Sequence, residues 1–228
     1  MQSLKGYLSE GRHDPSIFKA VFMAGAPGAG KSFVAESMAL PAQLGYKEIN
    51  SDIEFTRYMK QAGLTDDNGA VILNPKQEYE RNVVRTVAKR HTKAKQGHAM
   101  VGRLGLLIDG TGANSSKVLT QKQTLEALGY ETAMIYVKLG LEGSIESDKQ
   151  RGAVGGRSIG PELVTAKYNE LERSLKPLKK SFGKMFFEID NSVREKTPML
   201  IRKVENVIKN WSKKLPKNKA AKTWLRNN

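Results

Sequence analysis

The sequence predicts an α/β fold: a parallel five-stranded sheet with helices on both faces. Three observations predict it. Short apolar runs alternate with helix-like stretches along most of the chain. The run from Leu104 to Ile108 is continuous rather than alternating, as in a strand buried on both faces of a parallel sheet. A glycine-rich turn joins the first apolar run to the first helix-like stretch.

The chain opens with a polar, glycine-containing stretch closing at His13-Asp14-Pro15, read as a lead-in over residues 1–15. Ala20 to Ala24 is the first strand, and the helix after the glycine-rich turn should stop near Pro41. Tyr46 to Asn50 is the second strand. A helix follows, capped by Ser51 or Asp52 and running through Phe55 and Gln61 to a stop at Gly63. Thr65 to Asn74 reads as a loop turning at Asp66-Asp67-Asn68-Gly69. Pro75 opens a long helix to about Lys95, with Tyr79, Val83, Val87 and His91, and Val84 and Ala88 beside them, as its buried stripe.

Leu104 to Asp109 is the third strand, and a helix spans Ser115 to Leu128. Tyr130 to Leu139 is the fourth strand, and a short helix covers Leu141 to Gln150. Residues 151–161 are glycine-rich and basic, and Pro161 starts a helix burying Val164, Tyr168, Leu171 and Leu175. Met185 to Ile189 is the fifth strand. The helix from Pro198 to Lys213 buries Leu200, Val204, Val207, Ile208 and Trp211. These elements form one domain over 16–212. Residues 213–228 contain lysines and arginine but no acid, and read as a basic tail, mobile when free.

Gly25-Ala26-Pro27-Gly28-Ala29-Gly30-Lys31-Ser32 fits G-x-x-x-x-G-K-[ST] in its strand–loop–helix context, which makes the expected architecture a P-loop NTPase fold. Backbone N–H groups of such a loop, with the helix N-terminus behind it at Phe33, cradle phosphates. Lys31 reaches the β- and γ-phosphates of ATP or GTP, and the Ser32 hydroxyl ligates Mg²⁺. Ligands of open parallel sheets bind at the carboxyl ends of the strands, where Asp52 and Asp109 also stand. Asp52 is a candidate to take a proton from an attacking hydroxyl, or else a helix cap. Asp109 is a candidate to hold Mg²⁺ or orient the acceptor, or else a turn former before Gly110. Arg151 and Arg157, among four glycines, suit a lid over phosphate oxygens, or else a solvated basic loop. Gly110, not a second acid, follows Asp109, which disfavours a hydrolytic motor.

Formal net charge is +15, so a polyanion, DNA or RNA, is the expected partner of the surface and tail. There is no cysteine, hence no disulfide or thiolate metal site. His13, His91 and His98 lack metal-ligand spacing and read as surface or loop residues. No signal-peptide pattern and no membrane-spanning apolar run is present, so a cytoplasmic location is expected.

The phosphate loop, Ile49-Asn50-Ser51-Asp52, Ile108-Asp109-Gly110-Thr111, and Arg151-Gly152 through Gly156-Arg157-Ser158-Ile159-Gly160-Pro161 together resemble the P-loop 5′-hydroxyl polynucleotide kinases. They also resemble the zeta-toxin-like kinases, which phosphorylate an activated amino sugar. The resemblance, over about residues 18 to 180, implies Asp52 as base and a lid arginine at Arg157, with Arg151 as a second candidate. It also implies acceptor contacts from Asp52, Arg57, Asp109 and Thr111. Phage-type polynucleotide kinases carry an arginine three residues after the base. Phe55 stands there in this chain, with Arg57 two residues further on. The resemblance implies transfer of a γ-phosphate to a hydroxyl, with a nucleic-acid 5′-OH as favoured acceptor. A nucleotide sugar, or nucleic-acid binding without transfer, is the alternative.

Overall fold

The computed structural model describes residues 14–64, 78–154 and 158–227. The sheet order is β2-β3-β1-β4-β5, every pair parallel, from strands β1 (Lys19–Ala24), β2 (Lys47–Ile49), β3 (Leu106–Asp109), β4 (Glu131–Lys138) and β5 (Phe186–Asp190). β1 is buried at every position, and β4 everywhere between its ends, which explains their unbroken apolar runs. The register sets Ile49 level with Ile108 and Met23 level with Asp109. The carboxyl ends of β1, β2 and β3 therefore finish side by side.

The helices are α1 (Lys31–Met38), α2 (Leu40–Leu44), α3 (Ser51–Gln61), α4 (Glu78–Val101), α5 (Ser115–Ala127), α6 (Leu141–Ala153), α7 (Pro161–Phe182), α8 (Thr197–Ser212) and α9 (Lys219–Asn227). α1 and α2 pack on α8, and α5 and α6 pack on α7. α3 and α4 form a separate pair whose small core is Phe55, Met59, Leu64 and Ala88.

Several expectations change. The helix after the phosphate loop ends at Met38, where Ala39 takes φ 46°, and Pro41 lies inside the first turn of α2, where its missing N–H costs nothing. Asn50, not Ser51 or Asp52, caps α3: its side-chain oxygen accepts from Asp52 N at 2.8 Å. α4 continues through His98 to Val101; of the expected stripe Ala88 is buried and Val84 half-buried, and Thr92 and Ala99 continue the buried line. Tyr79 and Val83 are exposed, because the small Ala88 is the residue that meets α3 closely. α8 buries Ile201 and leaves Val207 exposed. The loop at Thr65 to Asn74, the helix start at Pro75, and His13 lie outside the described residues.

The largest correction concerns the tail. Residues 213–227 do not stand apart as a tail: they lead into α9, which docks on the domain. Asn218 caps the turn into α9, accepting from Ala220 N at 2.8 Å, and its Nδ2 donates to Glu126 O at 3.0 Å. Ala221 is fully buried, and the Trp224 ring meets Phe18 edge-on at 5.5 Å. Lys217 N donates to Glu131, which also pairs with the fully buried Lys19 at 2.6 Å. Glu131 and Lys19 begin β4 and β1, so the basic segment sits at the amino ends of the strands.

Candidate active site

The phosphate loop is held open by its surroundings. Gly28 has φ 84°, and a Cβ there would stand 2.3 Å from Ser144 O, so only glycine lets α6 back the loop this closely. Gly30, at φ 89°, leaves room for Asn191, whose Nδ2 donates to Ala29 O at 2.9 Å. Gly25 N donates to Thr111 O at 3.1 Å, so Thr111 supports the loop through its backbone. Ala26 and Ala29 are buried, whereas Ser32 and Phe33 are exposed on the first turn of α1. Gly30 caps α1 without a side chain, leaving the helix's first N–H groups to a ligand.

The Lys31 ammonium folds back on the loop, donating to Gly25 O at 2.8 Å and Ala26 O at 3.2 Å. Burial pushes its pKa below the usual lysine value. The nearby Asp109 charge opposes that, Arg151 adds to it, and Asp52 opposes it. Lys31, Asp109, Asp52 and Arg151 thus share one electrostatic neighbourhood.

Asn50 joins two of the acids. Its carbonyl oxygen caps α3 beside Asp52, and its Nδ2 donates to Asp109 Oδ2 at 2.9 Å. The other Asp109 oxygen, Oδ1, is buried with no hydrogen-bond partner among the described residues. Burial raises the Asp109 pKa above the usual carboxylate value; Lys31 pulls it down, Asp52 and Glu48 push it further up, and the adjacent Gly110 N–H lowers it. A buried carboxylate oxygen without a donor is one short of a cation or a water.

Asp52 lies largely exposed on the first turn of α3 and pairs with Arg85 Nη1 of α4 at 3.0 Å. The Arg85 guanidinium stacks over Phe55 at 3.9 Å. Phe55 occupies the position that carries an arginine in phage-type polynucleotide kinases, and here an arginine from another helix covers it. Arg57 pairs with Glu54 at 2.7 Å and stacks on Tyr58 at 4.9 Å, so the described contacts tie it to the α3–α4 packing.

Arg151 does not lie on a glycine-rich loop. It is in the last turn of α6, paired with Asp148 at 2.7 Å. Arg157 lies outside the described residues. Sequence reasoning missed Asn50, Arg85, Asp148 and Asn191. Asparagine just ahead of a helix is itself a capping signal, so Asn50 was within reach. Arg85 and Asn191 arrive from distant segments and carry no local signal.

Among the described residues no group of three or more acidic or histidine side chains is placed to hold a metal, and no helix is long and apolar enough to cross a membrane.

A family model described as zeta toxin matches residues 9–197. No curated protein matches the chain. In the structure of the PezAT chromosomal toxin–antitoxin system of Streptococcus pneumoniae, one chain aligns with TM-score 0.53 at 15% identity, covering 86% of this chain and 85% of that one. A chain of the AvrRxo1-ORF1:AvrRxo1-ORF2 complex with sulphate ions aligns with TM-score 0.56 at 13% identity, covering 82% and 62%; that complex is also solved with ATP. A kinase candidate from Chloroflexus aurantiacus aligns with TM-score 0.52 at 14% identity, covering 85% and 95%. At such identities the structural likenesses establish the shared fold.

Proposed function

The chain belongs to the zeta toxin family, and we infer from this that it is a P-loop kinase moving the γ-phosphate of ATP or GTP to a hydroxyl acceptor. The observation that supports this reading is Asn50, whose side chain accepts from Asp52 N and donates to Asp109 Oδ2, while the charges of both acids act on the phosphate-loop lysine. In the proposed reaction the acceptor oxygen attacks the γ-phosphorus while the bond to the β–γ bridging oxygen breaks. The nucleoside diphosphate leaves, and the hydroxyl proton passes to Asp52. Lys31 exchanges its loop carbonyls for phosphate oxygens, and Arg151 meets charge spread over the transferring group.

The bare Asp109 Oδ1 and the exposed Ser32 hydroxyl fit Mg²⁺, which takes one or two protein oxygens together with substrate phosphates. When bound, the ion neutralises charge on the β- and γ-phosphate oxygens.

Two acceptors are proposed. The net charge of +15 supports a nucleic-acid 5′-hydroxyl. Family membership supports a nucleotide sugar, and so does the placement of the basic segment: it is held through Lys217 N at Glu131, at the amino end of β4 and opposite the crevice. The second reading is the better supported. A cytoplasmic location remains part of the proposal.

The test supplies γ-labelled ATP and GTP with a nucleotide amino sugar, 5′-hydroxyl DNA and RNA oligonucleotides, and nucleosides. Label is expected on the nucleotide sugar, and reduced at least ~10²-fold in Lys31→Ala with the fold retained. Label on an oligonucleotide selects the first acceptor. Label only on free phosphate makes the protein a hydrolase, and label nowhere makes it a nucleotide-binding protein without transfer.

A further inference from the structure

α6 carries a buried acid that the proposed chemistry does not use. Asp148 is 1% exposed. Its Oδ1 accepts from Arg151 Nη2 at 2.7 Å. Its Oδ2 accepts from Ser158 Oγ at 2.6 Å, Ile159 N at 2.9 Å and Gly160 N at 3.1 Å. A carboxylate is held in a protein interior only when so satisfied. One side chain therefore joins the last turn of α6 to the residues that lead into α7.

The same residue abuts the phosphate loop. A Cβ on Gly28 would stand 2.3 Å from Ser144 O and 3.3 Å from Asp148 N, so the loop rests directly on the α6 backbone. Arg151, one turn further along, is near enough to lower the Lys31 pKa by its charge. Loop, Asp148 and Arg151 form one braced unit. An arginine in a last helical turn otherwise samples many rotamers, and fixing it beforehand removes that cost from the reaction.

We propose that Asp148 is a positioning residue for phosphoryl transfer: it fixes Arg151 against the γ-phosphate position and ties it to the Ser158–Gly160 segment. This rests on the kinase reading. It adds to that reading the group that sets the arginine's place. A purely structural Asp148, closing the connection between α6 and α7, would affect the protein equally with or without Arg151.

The experiment uses the full chain and measures the affinity for ADP (or GDP, whichever binds tighter) with and without aluminium fluoride and Mg²⁺, the fluoride mimicking the phosphoryl group in flight. Wild type, Asp148→Asn, Arg151→Ala and the double variant are compared. Diphosphate affinity is expected to hold within about twofold, because the proposal gives Arg151 to the transferring group alone. The added affinity from aluminium fluoride should fall roughly tenfold or more in each single variant, since a displacement of ~1 Å can cost ~10²-fold. The double variant should be no weaker than Arg151→Ala. An Asp148→Asn loss that persists undiminished in the Arg151→Ala background, or no loss at all, overturns the proposal. Should Asp148→Asn fail to fold, Ser158→Ala keeps the carboxylate and removes one donor; a smaller loss that vanishes without Arg151 supports the proposal, and any other result overturns it. Wild-type protein that binds diphosphate yet gains nothing from aluminium fluoride overturns the kinase reading itself. A wild-type gain without coupling between Asp148 and Arg151 overturns only the positioning role.

Discussion

Asp52 shows how much one neighbour changes the meaning of a residue. A cap and a base are both carboxylates at a helix start, and the sequence leaves them open. The structure gives capping to Asn50 and leaves Asp52 paired with Arg85. Asp52→Asn therefore removes no cap. It weakens one exposed ion pair, of a kind worth about 0.2–1 kcal/mol. Stability and nucleotide affinity should stay near wild type, while transfer to the acceptor falls ~10²–10⁴-fold if the side chain takes the proton. A thermal melt, an ATP titration and a transfer rate decide it, and near-normal turnover would leave Asp52 an ion-pair residue only. Arg85 then becomes the partner to examine, because its guanidinium holds the carboxylate while covering Phe55.

At the level of elements, two connections carry predictions. The first is the joint between α6 and α7. Burial works against the Asp148 charge, but hydrogen bonds from Ser158, Ile159, Arg151 and Gly160 outweigh it and hold the carboxyl below its usual 3.8. A depressed acid stabilises the fold fully above the unfolded value and loses that contribution as pH falls through the folded value. The stability gap between wild type and Asp148→Asn should thus be constant near neutral pH and shrink once pH drops below 3.8. Denaturant melts across that range measure it; a gap that widens on acidification would contradict the assignment of charge to the buried carboxylate.

The second connection is α9. Trp224 is half-buried against Phe18, and Trp224→Ala should destabilise by roughly 1–3 kcal/mol. Nucleotide affinity should not change, since the phosphate loop lies at the other end of β1. If the melting temperature is unmoved, the helix contributes no stability to the domain.

Across the whole molecule, charge and topology point in different directions. The surplus of +15 favours polyanions, yet a dense basic segment, Lys213 to Arg226, is anchored away from the carboxyl-end crevice. Any nucleic-acid binding through it should be independent of catalysis and of base sequence. Charge-reversing Lys219 and Lys222 should flatten the log–log salt dependence of oligonucleotide binding by about 0.7–0.9 for each phosphate no longer neutralised, and leave transfer unchanged. An unchanged salt slope would remove the segment as a binding surface.

What the sequence determined alone is whatever depends on local pattern. A continuous apolar run marked β3, because a strand covered on both faces has no polar side to alternate. The glycine and lysine spacing marked the phosphate loop, because only that backbone can wrap a phosphate and only Gly28 fits beneath Ser144. What only the tertiary structure decided depends on partners far apart in the chain. Arg85 reaches Asp52 from another helix, Asn191 braces Ala29 from beyond the last strand, and Asp148 collects donors from the far side of a turn. α9 reads as a solvated basic stretch until Phe18, Gly129 and Glu131 supply the surface its few apolar residues need. Its intrinsic pattern is too short to stabilise a helix alone, and docking provides what propensity does not.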